Sequence, residues 1–326
     1  MNYRKLGDTG ITVSEIGFGA WGIGGGAGGH PAYGPTDDAE SVRALDRARD
    51  EGVTLYDTSD LYGMGHSERL IGRAFRGKRD RAVIATKGGM INPAGEQDFS
   101  AAYLRVALER SLVRLGTDYV DLLQLHSPPL AVLEQGDELR QFADAAVSEG
   151  KARVVGFSAR SPHDALVAVE RFGFRFVQVN LNLLDRRAID CGLLQRCREL
   201  GAGVIARTPL CFGFLTGRYS VEDVRDPDDH RARWPAEQLE RWIAASLLFG
   251  EAIRSGGAQT AGQKALRFCL SFDEVSAVIP GMLTPAQVTE NAGASLLGAL
   301  TAGELAEAER IYLENTFFPR TEEARQ

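Results

Sequence analysis

Thr54-Leu55-Tyr56-Asp57-Thr58-Ser59-Asp60-Leu61-Tyr62-Gly63, followed by Ala82-Val83-Ile84-Ala85-Thr86-Lys87 and Val120-Asp121-Leu122-Leu123-Gln124-Leu125-His126, decides the fold. Each run is short and largely apolar, and each leads into a polar residue. That pattern reads as a strand buried on both faces whose end meets a polar rim. The stretches between them, 67–75 and 100–116, have the length and apolar spacing of helices. A strand, a helix and a second strand form the unit of a parallel sheet.

The same alternation continues in both directions. Strands are expected at 16–19, 54–57, 82–86, 120–125, 153–158, 176–180, 203–206 and 276–279. Helices are expected at 37–51, 67–75, 100–116, 130–149, 161–172, 189–200, 258–271 and 285–295, with starts such as Thr36-Asp37-Asp38 and Ser161-Pro162 where caps belong. Right-handed crossovers between parallel strands, repeated eight times, favour closure of the sheet. The expected class is α/β, a (β/α)8 TIM barrel forming one domain over 1–326. A β-hairpin precedes it, with strands at 3–6 and 12–13 around Gly7-Asp8-Thr9-Gly10. Two βα loops exceed the usual length: the glycine-rich 21–35, and 208–257, which carries a helix near 235–254. Both rise from the C-terminal face, where active sites of this fold lie.

Composition narrows the function. The 326 residues are 44% hydrophobic and 25% charged, ordinary values for a chain with a large core. A net charge of −7 argues against nucleic acid or an anionic membrane surface as partner, since both need clustered cations. Only five of the 37 basic residues are Lys, so Lys87 within an apolar strand stands out. Cys191, Cys197, Cys211 and Cys269 show neither CxxC spacing nor a disulfide framework. The N-terminal residues have no signal pattern and no apolar stretch approaches a membrane span, so a cytoplasmic protein is expected.

Asp57, Tyr62, Lys87 and His126 lie at or just past the ends of three successive strands, and a barrel gathers those ends around one rim. Their chemistry is coherent. A neighbouring ammonium favours the phenolate, so Lys87 is expected to lower the pKa of Tyr62 and make it a usable proton donor. Asp57 would keep Lys87 charged, and His126 would orient a substrate oxygen or help to relay the proton. His30, His66, His163 and His230 lie in loops or helix starts without ligand spacing, which leaves no case for a metal.

The run Asp57 to Glu68 (DTSDLYGMGHSE), with Ala85-Thr86-Lys87 and Leu125-His126, resembles the Asp, Tyr, Lys, His tetrad of the aldo-keto reductase superfamily. The opening Arg4-Lys5-Leu6-Gly7, Gly17-Phe18-Gly19-Ala20-Trp21 and the late Ile279-Pro280-Gly281 match as well, and the glycine-rich 22–35 resembles the first loop of its bacterial members, sugar-nucleotide ketoreductases and general stress reductases among them. The resemblance implies an NAD(P)H-dependent carbonyl reductase in which Tyr62 is the general acid. It implies that Ser158 and Gln178 hold the nicotinamide amide, although Ala159 stands where the family usually has Asn. It puts Arg207, before Thr208-Pro209-Leu210, where an aromatic residue usually stacks on the nicotinamide; a planar guanidinium can also stack. Gly213, Gly217 and Arg218 resemble the loop over the pyrophosphate, and Gly281, Thr284, Gln287, Glu290 and Asn291 the adenosine end. The resemblance favours NADP(H), with NAD(H) as the alternative, because no Lys or Arg in 281–287 marks a 2′-phosphate. Trp21 and Tyr33 would line the substrate side, for an aldehyde, ketone or keto-sugar. The family also includes redox-sensing regulatory subunits of potassium channels, a reading that the complete tetrad disfavours.

Overall fold

The computed structural model describes residues 1–134 and 136–318. A two-stranded antiparallel ribbon opens it, β1 (Tyr3–Lys5) and β2 (Thr12–Ser14), with Arg4 opposite Val13. The strands that follow are β3 (Phe18–Gly19), β4 (Leu55–Asp57), β5 (Val83–Gly88), β6 (Val120–His126), β7 (Ala152–Ser158), β8 (Phe176–Asn180), β9 (Gly203–Arg207) and β10 (Val275–Ile279). They pair in parallel in sequence order. Parallel bridges Ile16 to Val278 and Gly19 to Gly281 join the first of these strands to the last. Gly17 N–H donates to Val278 O at 2.8 Å, Val278 N–H to Glu15 O at 2.8 Å and Gly19 N–H to Pro280 O at 3.0 Å. The seam is tight: a Cβ on Gly19 would stand 2.8 Å from the carbonyl oxygens of Ile279 and Pro280.

The barrel is therefore closed, as its eightfold alternation predicts. Around it run α1 (Asp38–Asp50), α2 (His66–Ala74), α3 (Ala101–Leu115), α4 (Leu130–Glu134), α5 (Glu138–Ser148), α6 (Pro162–Phe172), α7 (Arg187–Asp190), α8 (Leu193–Leu200), α9 (Ala236–Ala252), α10 (Ala261–Leu270), α11 (Pro285–Gly293) and α12 (Ala302–Glu314). Caps start several of them: the side chains of Asp37, Ser161 and Thr284 accept backbone N–H groups three residues on. No helix among the described residues is long and apolar enough to cross a membrane.

Two helix expectations need correction, and one helix has no counterpart among them. The helix expected at 130–149 is two, α4 and α5, separated where Gly136 adopts φ 106°; residue 135 lies outside the described residues. The one expected at 189–200 begins inside α7 and breaks at Gly192, φ 77°. Glycine at positive φ ends a helix without a Cβ penalty, and the apolar periodicity resumes on the far side. The helix without a counterpart is α12, whose start carries a capping box formed by Thr301 and Glu304.

Strand pleat sets what reaches the barrel axis. Leu55, Ala85, Leu122, Phe176, Ile205 and Ala277 form one buried interior layer, which Leu6, Ile11 and Val13 of the hairpin close from below. Their strand neighbours Tyr56, Ile84, Leu123, Val177 and Val204 pack outward with the helices. Side chains alternate with a period of two, so the next inward position on each strand lies one layer higher. Those positions are Asp57, Lys87, Gln124, Gln178 and Arg207, with apolar Ile279 on β10. An apolar layer carries a polar one.

Candidate active site

Register brings the polar layer into contact. Leu122 pairs with Ala85 and Gln124 with Lys87, while Ser158 pairs with Gln178. Lys87 is 1% exposed, and its ammonium donates to Asp57 Oδ2 at 2.6 Å, Thr58 O at 2.8 Å and Tyr62 OH at 3.2 Å. Asp57 Oδ1 accepts from the amides of Gln124 at 2.9 Å and Gln178 at 2.7 Å. Each carboxylate oxygen thus has donors. Gln124 escaped the sequence reading, yet a Gln inside Leu-Leu-Gln-Leu, buried on the barrel axis, is a polar group that demands a partner.

The loop carrying Tyr62 is held by α2 and by the glycine-rich loop. Thr58 Oγ1 donates to Ser67 Oγ at 2.8 Å, and Ser67 Oγ donates to Ala20 O at 2.8 Å. The fully buried Glu68 accepts from Thr86 Oγ1 at 2.6 Å and pairs with Arg114 at 2.5 Å. Gly63 takes φ 56°, and a Cβ there would collide with the Gly24 carbonyl. The Ser and Glu of Gly-His-Ser-Glu are therefore anchors for the tyrosine loop.

Electrostatics correct one expectation. Burial pushes the Tyr62 pKa up; Lys87 pulls against it without reversing the shift, so the phenol stays protonated at neutral pH. Burial also pushes the Lys87 ammonium down, but Asp57 and Tyr62 more than offset this and its pKa stands above that of an ordinary lysine. Burial, then the charges of Lys87 and Arg207, hold His126 well below the usual imidazole range, so its ring is neutral. Its ring stands edge-on to Tyr62 with centroids 6.1 Å apart.

A cleft of about 430 Å³ extends from Asp57 and Tyr62 past Arg207, Thr208, Pro209 and Leu210 to Glu290 and Asn291 on α11. Gln178, Gly213, Arg218, Gly281, Gln287, Trp21 and Tyr33 also line it. Lys87 and Ser158, both buried, lie behind the wall. Gly217 ends a short 3₁₀ turn and Thr284 caps α11; neither reaches the cleft surface. Ser158 Oγ donates to Gln178 Oε1 at 3.4 Å, and the Gln178 amide is already turned toward Asp57. Thr208 is held at φ 57° by Asn180 and Asn182. Arg218 and Glu290, expected at opposite parts of a cofactor, pair with each other at 2.5 Å.

The residues fit an anionic, extended ligand. Arg207, Arg218, Arg231 and Arg233 line the cleft against two carboxylates, Asp57 and Glu290, in a chain whose net charge is −7. Arg207 donates through NH2 to Ala159 O at 2.9 Å, while its Nε is buried without a partner. A buried N–H left bare at a cleft wall is a binding group waiting for an acceptor.

The two long loops meet over this cleft. Tyr33 and Asp229 form an isolated bridge, and His230 N–H donates to Ala32 O at 2.8 Å. Arg231 pairs with Asp229 at 2.6 Å, donates to Phe212 O at 3.3 Å and lies over the rings of Tyr219 and Tyr33, 4.2 and 4.9 Å from their centroids. Trp21 packs edge-on against Tyr33 at 4.7 Å and His230 at 4.8 Å. The sequence gives no sign of this clasp, because the partners come from loops some two hundred positions apart.

The match to the Aldo/keto reductase family model spans residues 15–313, and the chain belongs to this family. It is an NAD(P)-dependent oxidoreductase, and carbonyl reduction is the general chemistry of the family. The aldo-keto reductase YhdN of Bacillus subtilis is 35% identical over 250 residues, covering 74% of this chain and 72% of the relative. The aldo-keto reductase yakc [NADP(+)] of Schizosaccharomyces pombe is 32% identical over 305 residues, 89% of this chain and 86% of the relative. Among solved structures, the holo form of aldo-keto reductase AKR11C1 from Bacillus halodurans is 28% identical, with a TM-score of 0.78 covering 95% of this chain and 96% of that one. Its apo form gives a TM-score of 0.69.

Proposed function

We propose that this protein reduces the carbonyl of a small aldehyde, ketone or keto-sugar with NADPH, and that Tyr62 is the proton donor. The observation that carries the reading is the single ammonium of Lys87, shared at 2.6 Å with Asp57 and at 3.2 Å with Tyr62 beside the cleft. When bound, the nicotinamide supplies the hydride. Tyr62, neutral because burial keeps its pKa high, gives its proton to the carbonyl oxygen as negative charge develops there. The phenolate left behind faces Lys87, whose charge Asp57 secures. Neutral His126 orients the substrate oxygen, and Trp21 and Tyr33 offer it an aromatic wall.

In this reading Gln178 would meet the nicotinamide amide, with Ser158 orienting the Gln178 side chain from behind the wall, and Arg207 would lie along the ring. Thr208, Pro209, Leu210, Gly213 and Gly217 shape the passage for the pyrophosphate, and Arg218 answers its charge. Gly281, Gln287, Glu290 and Asn291 would take the adenosine end, with Thr284 behind them as the cap of α11. The preference for NADPH draws on the NADP(+)-linked yeast relative and the arginine-lined cleft. Greater likeness to the holo than to the apo form of AKR11C1 supports a cleft already shaped for its ligand.

The test is Tyr62→Phe, assayed by nicotinamide absorbance with NADPH and NADH against a panel of carbonyls. Cofactor binding by fluorescence titration should be retained while turnover falls about 10²–10⁴-fold, the usual worth of a general acid. More than about a tenth of wild-type turnover would remove Tyr62 from the role.

A further inference from the structure

Ser59, in the loop just after β4, is fully buried, and its hydroxyl sits between two titratable groups. Its Oγ lies 3.2 Å from His126 Nδ1 and 3.1 Å from Asp60 Oδ1, and it accepts the Leu61 N–H at 3.1 Å. A hydroxyl has one proton and two lone pairs. Leu61 takes one lone pair, so His126 and Asp60 must share the proton and the remaining lone pair. With a neutral imidazole, two arrangements satisfy every group. If Asp60 is ionised, it accepts the Ser59 proton; Ser59 then accepts from His126 Nδ1–H, and Nε2 is a bare acceptor. If Asp60 is protonated, it donates to Ser59; Ser59 donates to Nδ1, and Nε2 carries the hydrogen.

Nε2 makes no hydrogen bond among the described residues and is the ring nitrogen left for a ligand. We propose that Asp60, acting through Ser59, sets the tautomer of His126, so that its protonated form presents an Nε2–H donor to a carbonyl and its ionised form a bare nitrogen to an alcohol. The proposal rests on the reading that His126 and Tyr62 face the reacting oxygen. On ionisation the one proton lost comes from Asp60; His126 keeps a single proton throughout, moved from Nε2 to Nδ1.

The surroundings of Asp60 suit a group that changes state near neutrality. Burial, then the Glu68 carboxylate on α2, push its pKa up to about 7, against hydrogen bonds from Ser59 and Leu61 and the Arg114 guanidinium of α3. Tyr103 of α3 is the other titratable group facing it. His126 itself is faced by Lys87, Arg207 and His30, all of which oppose a second proton on its ring. Asp60 is a positioning residue in this scheme: it acts on His126 and does not reach the substrate.

The decisive measurement is the tautomer itself. In the full chain labelled with ¹³C,¹⁵N-histidine and saturated with NADP(H), the His126 signals are those missing from His126→Asn. Their ¹⁵N and ¹³Cδ2 shifts, followed from about pH 5.5 to about pH 8.5, should pass from the Nε2–H to the Nδ1–H pattern. Ser59→Ala and Asp60→Asn should each abolish that pH dependence. One tautomer throughout in the wild type, or an unchanged transition in both variants, overturns the proposal. Because the readout is a chemical shift, it stands apart from the fate of Tyr62→Phe. In turnover, kcat for carbonyl reduction at saturating NADPH and carbonyl should fall about tenfold across the same range, less than the 10²–10³ cost of losing a whole oxyanion donor. Asp60→Asn should flatten that fall, and a wild-type slope in this variant counts against the scheme.

Discussion

Replacing Lys87 with Met keeps the side chain as far as Cε and removes the ammonium from a position only 1% exposed. Asp57 Oδ1 keeps its two amide donors, but Oδ2 loses the ammonium 2.6 Å away, leaving a buried carboxylate short of a partner. Breaking one side of a buried pair costs about 3–5 kcal/mol. At roughly 2.1 cal/mol/K per residue, a 326-residue chain unfolds with an entropy of about 0.7 kcal/mol/K, so Tm should drop by about 4–7 °C. Adding Asp57→Asn removes the unpaired charge, so the double variant should recover at least half of that loss. Thermal melts of the wild type, both single variants and the double variant complete the cycle. A drop below about 1 °C, or a double variant losing the full sum of the two single changes, would refute the view that Lys87 and Asp57 act as one buried unit.

Two further outcomes follow from the site. Arg207→Tyr removes a cation from the cleft wall, so calorimetry should show binding of the oxidised cofactor tightening several-fold more than that of the reduced form; equal changes would mean that the guanidinium does not lie along the ring. Gly63→Ala should lower turnover by roughly 10²-fold with little change in cofactor affinity, because its Cβ meets the Gly24 carbonyl and shifts the Tyr62 loop; wild-type turnover would show that the loop tolerates the shift.

What could be read in advance divides along physical lines. The strands were legible because a core between two helical layers demands short, wholly apolar runs, and Leu122-Leu123 or Val83-Ile84-Ala85 satisfy nothing else as well. Asp57, Lys87 and His126 were legible because they interrupt or end such runs. Helix ends inside a periodic pattern were not, since Gly136 and Gly192 break the backbone without disturbing the apolar spacing on either side. Arg231, Asp229 and Tyr33 make a contact that exists only once β3 and β9 share a barrel, so no local pattern could announce it. The sign of the Tyr62 shift was misread for a related reason. A sequence names the cation beside the phenol but cannot weigh it against the depth of burial, and burial prevails.

The seam between β3 and β10 also orders events in time. The barrel can close only when Gly281 is available to Gly19, and Arg4, which bonds the carbonyls of Leu270, Phe272 and Val275, must wait across a separation of up to 271 positions. At ribosomal rates of about 5–20 residues per second, that wait lasts on the order of 15–50 s, during which the nascent sheet has two open edges. Closure over so long a loop is also slow in its own right. Substitutions at the seam should therefore act on how many molecules reach the closed state, and register as lower yield or greater chaperone demand. Those that do close would still hold Lys87, Tyr62 and His126 in their places.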